Sequence, residues 1–389
     1  MTQIRPLVQD DVRPVLALSQ EAFGPYPAGA ELPSLEQPGR RRWGSFDDGR
    51  VVAHLAVHRY DSWWSGVTVP TAGIASVTVA AERRGDGLLA DLLGEALEVE
   101  RVDGACVLST LYPTATGIYR SLGYEVVTSY DLVDVPLASL VRLRPSPQIS
   151  LRRAQVGDMP AIRGVYDTWA AAQRGPLTRG GPSFPATDAE LMEAPTGTTL
   201  ALDEDGAVVG YTSWDRGPGY DGSAVIRVHD LLATDDRAHA RLWSFFASFS
   251  SVVGSLRVRT SGIDAARRHL PGSMGSVTES RPYMLRIDDV AAAVTALAPT
   301  GTARFAVSGD RLGVMDGTYE VAGGGCRRVD DQPDTRAPVF SPRGLALAYA
   351  GVESCASLRL AGLLHGPGND GSLDGCWGPR GAVHVRDYF

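Results

Sequence analysis

The chain contains no lysine: all 37 of its basic residues are arginines, set against 45 acidic ones for a net charge of -8. That balance argues against the basic face that nucleic-acid binding needs and favours a cationic partner instead. The missing lysine, beside many Ala, Gly and Arg, fits a genome of GC-rich codons. Cysteine is scarce. Cys106, Cys326, Cys355 and Cys376 lie far apart without a C-x-x-C, which favours buried thiols over a zinc site or a disulfide framework. The seven histidines form no H-E-x-x-H and no metal-ligand spacing, so no metal is expected. No window approaches the roughly 18 uncharged apolar residues of a membrane span, and the first residues carry no apolar signal core, so the expected location is the cytoplasm. No G-K-[ST] occurs, which removes the P-loop.

What is present fills more than one core. At 389 residues, a prior of about one domain per 150 residues suggests two or three domains, and 44% apolar content is ordinary for a globular chain. The most informative stretch runs from Val77 to Leu97. Val77, Thr78 and Val79 read as strand, and Leu88, Leu89, Leu92, Leu93, Ala96 and Leu97 recur at helical spacing. Between them lies a loop with Arg83, Arg84, Gly85, Asp86 and Gly87. Glycines let a backbone approach a ligand, and the first amides of a helix have no partner inside it, so the loop suits a pyrophosphate. Two other readings stay open on these residues. One is a dinucleotide fingerprint with Ala90 in its last slot, though the expected chain-initial unit and acidic ribose ligand are missing. The other is a plain surface loop.

Taken in order, Ile4 to Leu7 reads as a strand and Val12 to Ala22 as a helix capped by Asp10 or Asp11. A Pro- and Gly-broken loop follows from Phe23 to Pro38, where Glu21, Phe23, Tyr26 and Glu31 are candidates to line a pocket. Strands are expected at Val51 to Arg59, Val67 to Ile74 and Ala105 to Leu111, and a short helix from Gly117 that carries Tyr119, a residue type that is usually core in such a place. Leu140 to Ser150, with Pro145 and Pro147, reads as a linker. Beyond it L-R-R-A-Q-V-G-D-M-P-A-I from Leu151 echoes I-R-P-L-V-Q-D-D-V-R-P-V from Ile4, which suggests a duplicated fold. In the second copy the turn A-T-D-D-R-A-H from Ala233 has no glycine and two aspartates, the wrong charge for a phosphate. After Arg281 a hairpin is expected at Ala303 to Ser308 and Leu312 to Val321, then helices at Ser341 to Gly351 and Cys355 to Ala361. The last residues, Ala382 to Phe389, alternate like a strand and end apolar, which suggests a tucked terminus.

P-T-A-G-I at Pro70 leading to V-T-V-A at Val77, R-R-G-D-G-L-L at Arg83, G-I-Y-R-S-L-G-Y at Gly117, L-L-A-T-D-D-R-A-H-A-R-L-W at Leu231 and the terminal Phe389 together resemble the Eis-type (enhanced intracellular survival) members of the GCN5-related N-acetyltransferase (GNAT) superfamily. The resemblance implies an α/β (α+β) architecture. Residues 1–145 would form a catalytic GNAT domain, 146–284 a second GNAT-like domain without a cofactor site, and 285–389 a sterol-carrier-like domain that delivers the chain end to the active site. It implies acetyl-CoA as donor, a cationic amine as acceptor (an aminoglycoside, a polyamine, a lysine-like peptide or a specialised metabolite), and often a hexamer. It places the pantetheine on Val77, Thr78 and Val79, the pyrophosphate on Arg84, Gly85, Asp86, Gly87, Leu88, Leu89 and Ala90, and a further donor contact on Thr114. Tyr119 would be the general acid and the Phe389 carboxylate the general base. Ser76 stands where the family often has a pocket aromatic, Tyr388 where an acidic residue can occur, and Ala115 where an acidic residue follows Thr114, so acceptor specificity is left open. A non-catalytic acyl-CoA or lipid carrier is the alternative from another class.

Overall fold

The computed structural model describes all residues except 1, 28–30, 145, 263–264, 266–269, 271–274 and 379–380; Gly29 and Pro145 of the expected loop and linker lie outside the described residues. The chain opens with strand β1 (Gln3–Pro6) and helix α1 (Val12–Phe23), whose Val12, Val15 and Leu18 share one buried face. Next come β2 (Arg40–Asp47), β3 (Arg50–Trp64), β4 (Val67–Val79), α2 (Leu88–Val102), β5 (Leu108–Leu111), α3 (Thr116–Arg120) and β6 (Glu125–Pro136). Sequence patterning showed no sign of β2, ended β3 too early, and split β4 into Val67 to Ile74 and Val77 to Val79, which the structure joins into one strand. β3 and β4 form one long hairpin about Ser65 and Gly66, not about Asp61 to Gly66 as expected, since Asp61 to Trp64 still pair with Pro70 to Val67.

A second series repeats the first: β7 (Ser150–Arg153), α4 (Met159–Ala171), β8 (Arg174–Leu177), α5 (Asp188–Glu193), β9 (Gly197–Leu202), β10 (Val208–Arg216), β11 (Val225–Ala233), α6 (Asp236–Ala247), β12 (Ser255–Ser261) and β13 (Ser276–Ile287). The two series share one sheet of 13 strands among the described residues, in the order β1-β2-β3-β4-β5-β13-β6-β12-β11-β10-β9-β7 with β8 against β3. β13, from the second series, lies between β5 and β6 of the first, and β6 in turn pairs with β12. Each series therefore closes its sheet with a strand of the other, so the sheet has no seam at residue 145.

The last part forms a smaller sheet of β14 (Ala303–Val307), β15 (Gly317–Ala322), β16 (Gly325–Asp330), β17 (Val339–Phe340) and β18 (Leu364–His365), in the order β16-β15-β14-β17-β18, with helices Val290–Ala296, Pro342–Ala350, Cys355–Leu360 and Asp370–Cys376. The hairpin expected at Ala303 forms, but its second strand starts at Gly317, because Asp310 gathers the preceding turn by accepting bonds from the amides of Leu312, Val314 and Met315. Asp310 also receives both terminal nitrogens of Arg286, a fully buried arginine on β13 that bonds Asp288 and the carbonyl of Leu122 as well. One guanidinium thus ties the turn after α3, the large sheet and the β14–β15 turn of the small sheet together.

The chain end does not form the expected strand. Among its described residues only Val383 makes an isolated bridge, to Arg174, and the rest is extended backbone held by side chains. It is nonetheless tucked in, with Val383 and Val385 buried.

Candidate active site

The site forms where two parallel strands part. β4 and β5 pair from Thr71/Leu108 to Ile74/Leu111; β5 then ends, with Pro113 two residues on, while β4 continues to Val79. Beyond Ile74 one edge of β4 has no strand partner among the described residues. A bulge sharpens the break: Ser76 and Val77 together oppose Leu55 of β3, and Ser76 takes a left-handed φ of 53°. The amide of Ala80 donates to Val52 on β3, so alternation along the strand turns the amides of Val77 and Val79 to the open edge. That edge can pair with an extended amide chain and donate to a carbonyl oxygen.

The loop that follows fits an anion. Gly85 and Gly87 have φ of 97° and 85°, and an added Cβ at either would meet open space, so backbone conformation is what calls for glycine there. Gly87 opens α2 without any side-chain cap, leaving the first amides of a 15-residue helix for a ligand. Helix α2 is anchored by its buried leucines and by Glu100, which takes Arg59 at 2.5 Å and Arg41 at 3.1 Å. The two arginines of the loop differ. Arg83 is paired with Asp47 at 2.5 Å and Asp86 at 2.8 Å, so its charge is already matched and Asp86 turns to it. Arg84 donates to the Val79 carbonyl at 3.4 Å and has no acidic partner among the described residues.

These parts line one cavity of about 750 Å³. Val77, Thr78, Val79, Arg84, Gly85, Gly87, Leu88, Leu89, Ala90, Thr114, Ser76, Glu21, Phe23, Tyr119, Tyr388 and Phe389 are all brought to it. Asp86 and Tyr26 are not among its lining residues, and Tyr26 bonds the Glu31 carbonyl instead. Glu21 also has a structural task, accepting the Ala81 amide at 3.0 Å.

Tyr119 is buried on α3, edge-on to Tyr124 at 6.0 Å, and burial pushes its hydroxyl up to about 12. It stays protonated through the physiological range, as a proton donor must. Phe389 arrives from the other side. Its ring lies 5.3 Å from Tyr60 and 5.5 Å from Tyr112, over Gly73, where a Cβ would fall 2.6 Å from Tyr60 and 2.8 Å from Phe389. The residues leading to it are fixed one by one: Val385 by Ser261, the Arg386 carbonyl by Tyr130 at 3.1 Å, the Asp387 carbonyl by Tyr112 at 2.6 Å, and the Asp387 carboxylate by Arg179 at 2.9 Å. Sequence reasoning missed this seat of Tyr60, Tyr112, Tyr130 and Arg179, because the residues come from strands and loops far apart in the chain. It also missed His58, 6.2 Å from Phe389, where burial and the nearby Arg40 and Arg42 lower the imidazole to about 4 and keep it neutral.

The equivalent parting in the second series is built differently. β11 and β12 pair from Val225/Ser255 to Val228/Val258 and then separate. Against the end of β12 lies the chain's own tail, through Ser261 to Val385 and the Arg259 carbonyl to Arg386. Asp235 caps α6 with its carboxylate on the Ala238 amide, so a negative group stands where α2 is open.

The chain is similar to known proteins in sequence and in fold. Residues 3–127 match one acetyltransferase (GNAT) domain family, and residues 177–287 match another of the same description. A Streptomyces avermitilis protein described as an uncharacterized N-acetyltransferase is 29% identical over 93% of this chain and 92% of its own length. A GCN5-related N-acetyltransferase from Kribbella flavida superposes with a TM-score of 0.78 at 26% identity, covering 100% of this chain and 98% of that one. Eis1 from Mycobacterium abscessus shares the fold, with a TM-score of 0.76 at 21% identity over the full length of both. The chain carries two GNAT acetyltransferase domains and is an N-acetyltransferase. That sets aside the non-catalytic carrier.

Proposed function

We propose that this enzyme is of the Eis type and moves the acetyl group of acetyl-CoA directly to a primary amine of a cationic small molecule or peptide, such as an aminoglycoside, a polyamine, a lysine-like peptide or a specialised metabolite. The observation that carries the reading is that the unpaired edge of β4, the uncapped start of α2, Tyr119 and Phe389 all line one cavity. The edge amides of Val77 and Val79 hold the pantetheine and donate to the oxyanion as the thioester carbonyl is attacked. The α2 amides and Arg84 hold the diphosphate, and Thr114 lies where it can touch the donor. A protonated amine is no nucleophile, so it must lose a proton at the site; the Phe389 carboxylate takes it, directly or through water, and Tyr119 protonates the departing thiolate. Among the described lining residues the carboxylates are Glu21 and that of the chain end, and the arginines are Arg83 and Arg84 of the glycine loop and Arg311. Acceptor charge is therefore read close to Phe389, with Ser76, Phe23 and Tyr388 as neighbours.

The same reading divides the chain into the catalytic domain at 1–145, the second domain at 146–284 with its donor cleft given over to the chain's own tail and to Asp235, and a sterol-carrier-like domain at 285–389 that seats Phe389. A cytoplasmic hexamer is the assembly proposed. Thiol release from acetyl-CoA, measured across a panel of amines, tests the reaction, and a chain lengthened by three residues past Phe389 tests the base. Displacing the carboxylate removes general-base help worth about 10²-fold or more in kcat. No turnover with any amine, or full turnover by the lengthened chain, would sink the respective part.

A further inference from the structure

The donor end of the cavity holds less free positive charge than its sequence promises. Arg83 is matched by Asp47 and Asp86, which leaves Arg84 as the loop cation without an acidic partner among the described residues. A third arginine lines the same cavity from a distant part of the chain: Arg311, on the turn between β14 and β15, also without an acidic partner among the described residues.

That turn is rigid. Asp310 beside it accepts the buried Arg286 guanidinium at 2.7 and 2.9 Å and the amides of Val314 and Met315, while Asp316 accepts the amides of Gly309 and Asp310. On the other side Leu312 packs against α2, 3.7 Å from where a Cβ on Gly94 would lie. The backbone on both sides of Arg311 is therefore held, and exposed Arg311 lines the cavity together with Ile118, Ser121 and Leu122. Gly94 is six residues past Leu88, or about 9 Å along the helix axis at 1.5 Å per residue. Leu312, the next residue after Arg311, thus meets α2 less than two turns past Leu88 and Leu89, whose amides are where the diphosphate belongs, and Arg311 lines the same cavity as those two residues.

Coenzyme A carries one more anion beyond its diphosphate, the phosphate on the ribose 3′ oxygen. We propose that Arg311 recognises this 3′-phosphate, so that the C-terminal part of the chain makes the enzyme selective for coenzyme A esters over their 3′-dephospho forms. The assignment rests on acetyl-CoA being the donor. It adds a residue that no motif of the first 145 positions contains, and it gives the small sheet a task at the donor end as well as at the chain terminus.

The test is a two-by-two comparison of binding. Dissociation constants for acetyl-CoA and 3′-dephospho-acetyl-CoA are measured by calorimetry at low salt for the wild type, Arg311→Ala and Arg84→Ala, with circular dichroism to check that each variant folds. A charge-assisted bond at an exposed site predicts a wild-type preference for acetyl-CoA of about 10-fold. Arg311→Ala should bind the two donors within about twofold of each other by weakening only acetyl-CoA, whereas Arg84→Ala should weaken both and keep the preference. Arg311→Ala that keeps the wild-type ratio overturns the proposal, as does one that weakens both donors equally, which would put Arg311 on the diphosphate. Binding of neither donor by the wild type would instead overturn the donor reading beneath it.

Discussion

Replacing Arg286 by Met removes the cation on which two buried carboxylates depend. The guanidinium is fully buried and makes bonds of 2.7 and 2.9 Å to Asp310, 2.9 Å to Asp288 and 3.0 Å to the Leu122 carbonyl. Breaking a buried pair from one side strands the other charge, at a cost of about 3 to 5 kcal/mol. That is a large part of the roughly 5 to 15 kcal/mol by which folded chains are stable. The pH dependence gives the sharper check. In the wild type burial pushes the Asp310 carboxyl up, but the bonds and charge of Arg286 and the amides of Met315 and Val314 outweigh it and hold the group below its ordinary value. Its contribution is therefore present above the unfolded carboxyl pKa of about 3.9 and lost as pH falls through the lower folded value. Without Arg286, burial is far less opposed and the sign reverses: Asp310 gains a raised pKa, and stability declines as pH rises through it. The loss caused by Arg286→Met should thus be larger at pH 8 than at pH 5. Urea unfolding at the two pH values, followed by tryptophan fluorescence, reads this directly. A loss below about 1 kcal/mol, or one equal at both pH values, would refute the argument that an ion pair, and not packing alone, joins the two sheets.

Two further outcomes follow from the site. Gly73→Ala places a methyl within 2.8 Å of the Phe389 ring and 2.6 Å of Tyr60, so the terminus must shift; misplacing a reacting group by about 1 Å costs on the order of 10²-fold, and kcat should fall while the acetyl-CoA dissociation constant stays within about twofold. An unchanged kcat would show that the seat of Phe389 does not matter to the reaction. Tyr119→Phe should lower kcat by about 10²-fold or more without weakening donor binding, and because the hydroxyl is pushed up to about 12, wild-type activity should show no loss from its ionisation between pH 7 and pH 10; a variant as fast as the wild type would remove Tyr119 from the mechanism.

The local features of this site were written in short stretches of sequence. Strand Val77 to Val79, the two glycines and the leucines of α2 are contiguous, and their spacing reports directly which backbone is extended, which turns left-handed and which helical face is buried. The same holds for the helix of Tyr119 and for the aspartates that replace the glycines at the start of α6. Tertiary structure decided everything that depends on a distant partner. β13 lies between β5 and β6, and that pairing rests on contacts more than 140 residues apart that leave no period in the sequence. Arg83 and Arg84 look equivalent as neighbours, yet only the fold brings Asp47 to the first of them. The terminal residues alternate like a strand but are held by Ser261, Tyr130, Tyr112 and Arg179 in place of a ladder, because the slot that they enter has side chains where a strand would offer backbone. Periodicity tells which face of a segment avoids water; it does not tell what covers it, and in this protein the covering groups set the chemistry at Phe389.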